Sequence, residues 1–167
     1  TTTSSLFSAG RIDKGTSLLL RESKVPPEGE ILDLGCGYGA VGIVLKKIYP
    51  ILEVTLSDVN ERALRLSNLN AEKNKVRVSV IRSSFFSSLG TFDAILTNPP
   101  FSAGKKTCFR LIEESIDHLH TGGTLQLVAP MKKGGKSLSQ KEQVEILNEF
   151  GYEMFNVLVS TSIGEED

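Results

Sequence analysis

Apolar and polar positions follow two rhythms along this chain: short unbroken apolar runs, and longer stripes that recur every three to four residues. The runs read as buried strands and the stripes as amphipathic helices. Ile31-Leu32-Asp33-Leu34 is a first strand, entered from the breaker Pro26-Pro27-Glu28-Gly29. Ala40 to Tyr49 follows as a helix with Val41, Val44, Leu45 and Ile48 on one face, and Pro50 ends it. Val54-Thr55-Leu56 is a second strand, Asn60 caps a helix running to Asn74, and Val76 to Ile81 is a third strand. Phe92 to Thr97 is a fourth strand, stopped by Pro99-Pro100. The stripe Cys108, Leu111, Ile112, Ser115, Ile116, Leu119 predicts a helix from Lys105 to Leu119, ended by Gly122-Gly123. Thr124 to Ala129 is a fifth strand, Ser139 to Phe150 a last helix, and Tyr152 to Ser160 a last strand.

Strands that alternate with helices imply right-handed crossovers. The predicted fold is α/β, a Rossmann-like, doubly wound, mostly parallel sheet with helices on both faces. Such sheets bind ligands at the carboxyl ends of their strands, beside the switch point. With 167 residues the chain reads as a single domain, 1–167, with its Rossmann-like core over 30–160.

Composition narrows the picture. Apolar residues make up 40% of the chain, enough for a sizeable core without a metal or disulfide staple. Cys36 and Cys108 have no partner at metal-ligand spacing, and His118 and His120 are the only histidines, so no metal is expected. The two thiols read as small buried hydrophobes in a reducing compartment, which predicts the cytoplasm. No run approaches membrane-spanning length, and no basic-then-apolar leader is seen at the start.

The net charge of −1 argues against a whole-surface grip on nucleic acid. Its distribution is uneven, however: residues 101–141 sum to +4 and the remainder to −5. Lys105 and Lys106 follow Phe101, while Lys132, Lys133 and Lys136 follow the fifth strand. That places a basic rim at the ligand-binding end, suited to phosphate contacts, with a merely solvated surface as the competing reading. His118 and His120 read as partners of a helix C-terminal dipole, and Phe85-Phe86 as core.

Asp33-Leu34-Gly35-Cys36-Gly37-Tyr38-Gly39 joins the first strand to its helix. Glycines let this turn bend tightly and let a ligand approach, and the helix N-terminus beyond favours an anionic group. Gly35, Gly37 and Ala40 also satisfy the dinucleotide fingerprint. Asp58 follows Gly35 by 23 residues, at the end of the second strand, where a carboxylate can take two ribose hydroxyls. Both a nicotinamide dinucleotide and S-adenosylmethionine carry such a ribose. Asp33 favours the second ligand, because a carboxylate there suits an ammonium and repels a pyrophosphate.

Asn98-Pro99-Pro100-Phe101 follows the fourth strand directly. As a bare Asn-Pro it is a strand terminator, but it falls at the ligand-binding end. The Asn98 carboxamide oxygen and the Pro99 carbonyl suit the two N–H bonds of a conjugated exocyclic amine. Accepting both would localise the nitrogen lone pair and stabilise the positive charge that grows as the nitrogen is alkylated. Phe101 offers a flat face for stacking a base.

With these residues in place, the chain resembles a class I S-adenosylmethionine-dependent methyltransferase, and more narrowly the small-subunit ribosomal RNA guanine-N2 methyltransferase family, with its short single-domain members. The resemblance rests on Phe7-Ser8, Asp13-Lys14-Gly15-Thr16-Ser17, the glycine loop, Ser57-Asp58-Val59-Asn60, Asn98-Pro99-Pro100-Phe101 and Lys136-Ser137-Leu138. It implies S-adenosyl-L-methionine (AdoMet) as cofactor and RNA, that of the small ribosomal subunit first, as partner. Gly35, Gly37 and Gly39 would line the methionine part, with Asp33 toward its ammonium. Asp58 would hold the ribose, Val59 would pack on the adenine, and Ser84 stands where many relatives carry an aspartate toward the adenine amino group. Segment 1–29, through Gly15 and Thr16, would close over the cofactor. Asn98, Pro99 and Phe101 would hold the amine and its base. Relatives also form a closing pair of strands where the pattern here reads only one. Three other readings compete: methylation of a protein glutamine amide or another nucleic-acid amino group, a nicotinamide-dependent oxidoreductase, and a binding module without catalysis.

Overall fold

The computed structural model describes residues 14–99, 104–130, 144–149 and 152–158. In chain order the elements are α1 (Lys14–Glu22), β1 (Glu30–Leu34), α2 (Ala40–Ile48), β2 (Glu53–Asp58), α3 (Glu61–Lys73), β3 (Ser79–Arg82), β4 (Phe92–Thr97), α4 (Gly104–Ser115), a short 3-10 turn (Ile116–His118), β5 (Leu119–Pro130), β6 (Val144–Glu149) and β7 (Tyr152–Leu158). The strands form one seven-stranded sheet in the order β3-β2-β1-β4-β5-β7-β6. Strands β1 to β5 run parallel, and β7 and β6 close the sheet antiparallel. The Rossmann-like architecture expected from the alternation is what forms.

Side chains alternate across the sheet and divide the core in two. Ile31, Leu56, Ala94, Leu96 and Val128 pack with Leu18 and Leu19 of α1 and Val41, Ile43 and Leu45 of α2. Leu32, Leu34, Ile95, Leu125 and Leu127 pack on the other face with Cys108, Leu111 and Ile112 of α4. Asn60 caps α3 as expected, its Oδ1 accepting the N–H groups of Arg62 at 2.8 Å and Ala63 at 3.3 Å. Cys36 and Cys108 are buried and free, as the sequence suggested; burial pushes both thiols above the ordinary range.

The C-terminal third departs from the sequence reading. Over 144–149, where a helix was expected, the chain forms β6, paired along its length with β7. The segment is a short apolar run that fits either period, and cross-strand pairing decides it. The closing pair implied by the family resemblance is therefore present. The helix expected to reach Leu119 ends at Ser115, and β5 takes over at Leu119, which pairs with Phe92 before the register shifts. Gly122-Gly123 thus lie inside a strand, next to an irregularity, rather than after a helix. Helix α1 was not expected at all. It is pinned to the sheet by Gln126 of β5, whose Oε1 accepts the Lys24 N–H at 2.8 Å while its Nε2 donates to the Lys24 carbonyl at 2.7 Å.

Candidate active site

The site forms where β1 and β4 lie side by side. Leu34 pairs with Thr97, and the Thr97 hydroxyl donates to the Leu34 carbonyl at 3.0 Å. That register sets Asn98, the next residue, beside the glycine loop. Two adjoining hollows open there. One, of 310 Å³, is lined by Thr16, Asp33, Gly35, Gly37, Tyr38 and Val41, among others; the second, of 340 Å³, by Val59, Ser84, Phe85, Pro99, Thr107 and Leu111. Gly35, Asp58 and Asn98 border both, so the two are halves of one cleft. A larger cavity of 580 Å³ lies at the opposite end of the strands, against Glu30, Glu53, Arg77 and Phe92. It meets neither the glycine loop nor Asn98, and the chemistry therefore belongs to the smaller pair.

The glycine loop holds its shape through backbone angles that L side chains rarely adopt: φ is 69° at Gly35, 57° at Gly37 and 91° at Gly39. A Cβ on Gly35 or Gly37 would meet nothing within 4 Å, because the cleft lies above them. Gly39 differs. It borders neither hollow, and a Cβ there would come within 3.0 Å of Ile43 and 3.1 Å of Leu56. It starts α2 against the sheet. Helix α3 grips the loop from behind: Ser67 Oγ donates to the Gly37 carbonyl at 2.8 Å and Asn70 Nδ2 to the Tyr38 carbonyl at 2.9 Å. With those carbonyls held away, the Gly37 N–H donates to Asp58 Oδ2 at 3.0 Å. Asp58 Oδ1 also accepts the Asn60 N–H at 2.9 Å, which fixes the carboxylate at the border of the two halves.

Asp33 is 4% exposed and faces the first hollow. Burial pushes its pKa up to about 7; the Gly42 N–H, bonded to Oδ2 at 3.0 Å, pulls it back, and the charge of Asp58 adds to the rise. A buried carboxylate so disposed favours a bound cation. The ammonium of a methionine moiety would fit that demand, and the Asp58 carboxylate keeps lone pairs that could accept ribose hydroxyls. Val59 is 55% exposed at the mouth of the second half, an apolar surface that a flat ring would cover. Ser84 lines the same half.

Asn98 Nδ2 donates to Thr16 Oγ1 at 3.1 Å. Gly15 lies against the same carboxamide: a Cβ there would stand 2.8 Å from Asn98 Oδ1. Gly15 borders neither hollow directly and backs the Asn98 side chain. The aromatic pair divides, with Phe86 3% exposed in the core and Phe85 lining the cleft. Phe85 adopts φ 54°, and the Arg110 guanidinium stacks 3.7 Å from its ring centroid. The sequence signal for that role was one residue of a doublet.

His118 falls in the last turn of the helical segment, as expected, whereas His120 lies in β5. His118 stacks on Phe86 with ring centroids 4.7 Å apart, and His120 in β5 meets Asp93 at 3.0 Å. Phe101, Lys132, Lys133 and Lys136 lie outside the described residues, as does the side chain of Lys105. Among the described residues no group of acidic, cysteine or histidine side chains suits a metal ion, and no helix is long and apolar enough to cross a membrane.

Comparison with known proteins supplies the family. The family described as "Methyltransferase small domain" matches residues 1–156. The chain belongs to this methyltransferase family. An uncharacterized protein of Bacillus subtilis (strain 168), YbxB, is 42% identical over 146 residues, covering 84% of this chain and 73% of that protein. Ribosomal RNA small subunit methyltransferase C of Pasteurella multocida is 42% identical over 129 residues, 74% of this chain but 39% of that protein. The chain thus spans well under half the length of such curated relatives. Among solved structures, a T. thermophilus 16S rRNA N2 methyltransferase in complex with AdoMet and guanosine matches with a TM-score of 0.77 and 26% identity, over 91% of this chain and 44% of that one. The fold is that of the class I methyltransferases, and membership of the family sets aside the nicotinamide-dependent oxidoreductase.

Proposed function

We propose that the chain is an AdoMet-dependent N-methyltransferase acting on an exocyclic amino group, with guanine N2 of ribosomal RNA as its target, in the cytoplasm. One observation carries the reading: the β1–β4 register brings the Asn98-Pro99 acceptors to the border of a cleft that also holds the glycine loop and two strand-end carboxylates. The names of the relatives supply the nucleoside and the ribosomal RNA.

AdoMet supplies the methyl group as a sulfonium. The protein's share is orientation and electrostatics. Asp33 takes the ammonium, the Gly35–Gly37 turn leaves room for the methionine chain, and Asp58 takes the ribose hydroxyls. Val59 and Phe85, which line the same half of the cleft, would hold the adenine. Asn98 Oδ1 and the Pro99 carbonyl accept the two N–H bonds of the amine and hold its lone pair toward the methyl carbon. The methylated nitrogen is acidic enough to lose a proton to water, so no general base is required. Phe101 stacks the base, and the lysines at 105, 132, 133 and 136 meet RNA phosphates.

The test incubates the protein with methyl-labelled AdoMet and, in parallel, bare ribosomal RNA, assembled small subunits, tRNA or protein extract, then digests the labelled product. N2-methylguanosine from ribosomal RNA is expected. Label in a protein glutamine would redirect the reading to an amide target, and cofactor binding with no transfer to anything would make the chain a binding module.

A further inference from the structure

We infer that Thr16 is a positioning residue for the amine-holding carboxamide of Asn98, and that residue 15 must be glycine to let that contact form. This rests on the reading of Asn98 proposed above. It differs from the expectation that Gly15 and Thr16 close over the cofactor.

A carboxamide at the end of a strand can rotate about its last bond, and each rotation moves the acceptor oxygen off the amine. Donation from Asn98 Nδ2 to Thr16 Oγ1 fixes the plane of the amide. The partner is rigid. Leu18 and Leu19 of α1 are wholly buried, and the Gln126 side chain clamps both backbone groups of Lys24 just beyond the helix. The hydroxyl therefore reaches Asn98 from a helix anchored on β4's neighbour, β5. At Gly15 the amide packs against bare helix backbone. A methyl group there would stand 2.8 Å from Oδ1 and 2.9 Å from Nδ2, and the side chain would have to turn away. Gly15 has an ordinary helical backbone, where alanine is the better helix former. The absence of a Cβ thus serves the carboxamide and not the fold.

The test uses Thr16→Val, Thr16→Ser and Gly15→Ala in the full chain. It reads AdoMet affinity by calorimetry, kcat for methyl transfer to small-subunit ribosomal RNA, and the side-chain amide resonances of Asn98, assigned by their loss in Asn98→Asp. Thr16→Val should lower kcat about 10- to 100-fold and move those resonances, while AdoMet affinity stays within about three-fold. Thr16→Ser should restore both. Gly15→Ala should lower kcat without lowering Tm. Weaker AdoMet binding with an unchanged kcat at saturation would make Thr16 a cofactor ligand and overturn the inference, as would Asn98 resonances that ignore Thr16→Val. If the wild-type chain transfers no methyl group to RNA, the proposed function fails on its own, and the resonances and cofactor affinity still decide the role of Thr16.

Discussion

Asp58 and Asn98 border the same cleft, yet the chemistry assigned to them separates under mutation. Asp58 already accepts two backbone N–H groups, and its remaining lone pairs are available to hydroxyls. Its removal should cost cofactor binding. Asp58→Ala is expected to weaken AdoMet about 10- to 100-fold, the size of one or two charge-assisted hydrogen bonds, as measured by calorimetry. Asn98→Ala should leave that affinity within a few-fold and cut kcat by about 10²–10³, the loss expected for one preorganised electrostatic partner. Equal losses of binding and rate in Asn98→Ala would show that it holds cofactor rather than amine.

At the scale of elements, what each strand end carries was readable because a parallel sheet presents those ends together. Asp33, Gly35, Gly37, Asp58 and Asn98 each follow or close a short apolar run, and six of the seven strands are visible as such runs. The contact of Thr16 with Asn98 spans 82 positions, and no local pattern announces it. Helix α1 has nine residues with a glycine near its start, too weak a signal to stand without Leu18 and Leu19 buried against the sheet. Segment 144–149 is six residues long, short enough for its apolar positions to satisfy both periods, so only its partner β7 reveals a strand. Helix α3, by contrast, carries its own start signal. It also holds Ser67 and Asn70, which brace the glycine loop, so loosening its first turn should be felt in stability. Asn60→Ala is expected to cost about 1 kcal/mol, seen as a Tm lowered by about 2–4 °C. An unchanged Tm would mean that water replaces the cap.

For the whole molecule, the sheet's consequence is electrostatic. It buries Asp33 at the end of β1 and keeps the charge of Asp58, at the end of the adjacent β2, within its field. The carboxyl of Asp33 rises from its ordinary 3.8 to about 7 in the folded protein. Between those values the folded chain holds a proton that the unfolded chain gives up. The contribution of Asp33 to stability is then fully present below pH 3.8 and is lost as pH rises through about 7. Asp93 acts in the opposite sense and elsewhere on the pH scale. Burial pushes it up, but the Glu30 N–H and the His120 ring outweigh that and hold it below 3.8. Its contribution is lost only as pH falls below that value, so it leaves the window from 4 to 7 to Asp33. Cofactor reverses the trend, because an ammonium binds the ionised carboxylate. Without AdoMet, the Tm of the wild type should therefore fall, relative to Asp33→Asn, as pH rises from 4 to 8. With AdoMet at fixed concentration, the Tm gain should grow over the same range in the wild type and stay flat in Asp33→Asn. Thermal scans across pH, with and without AdoMet, measure both trends. Parallel pH profiles for the two proteins without cofactor would mean that Asp33 is ionised throughout, and that the cleft keeps its two negative charges without help from an ammonium.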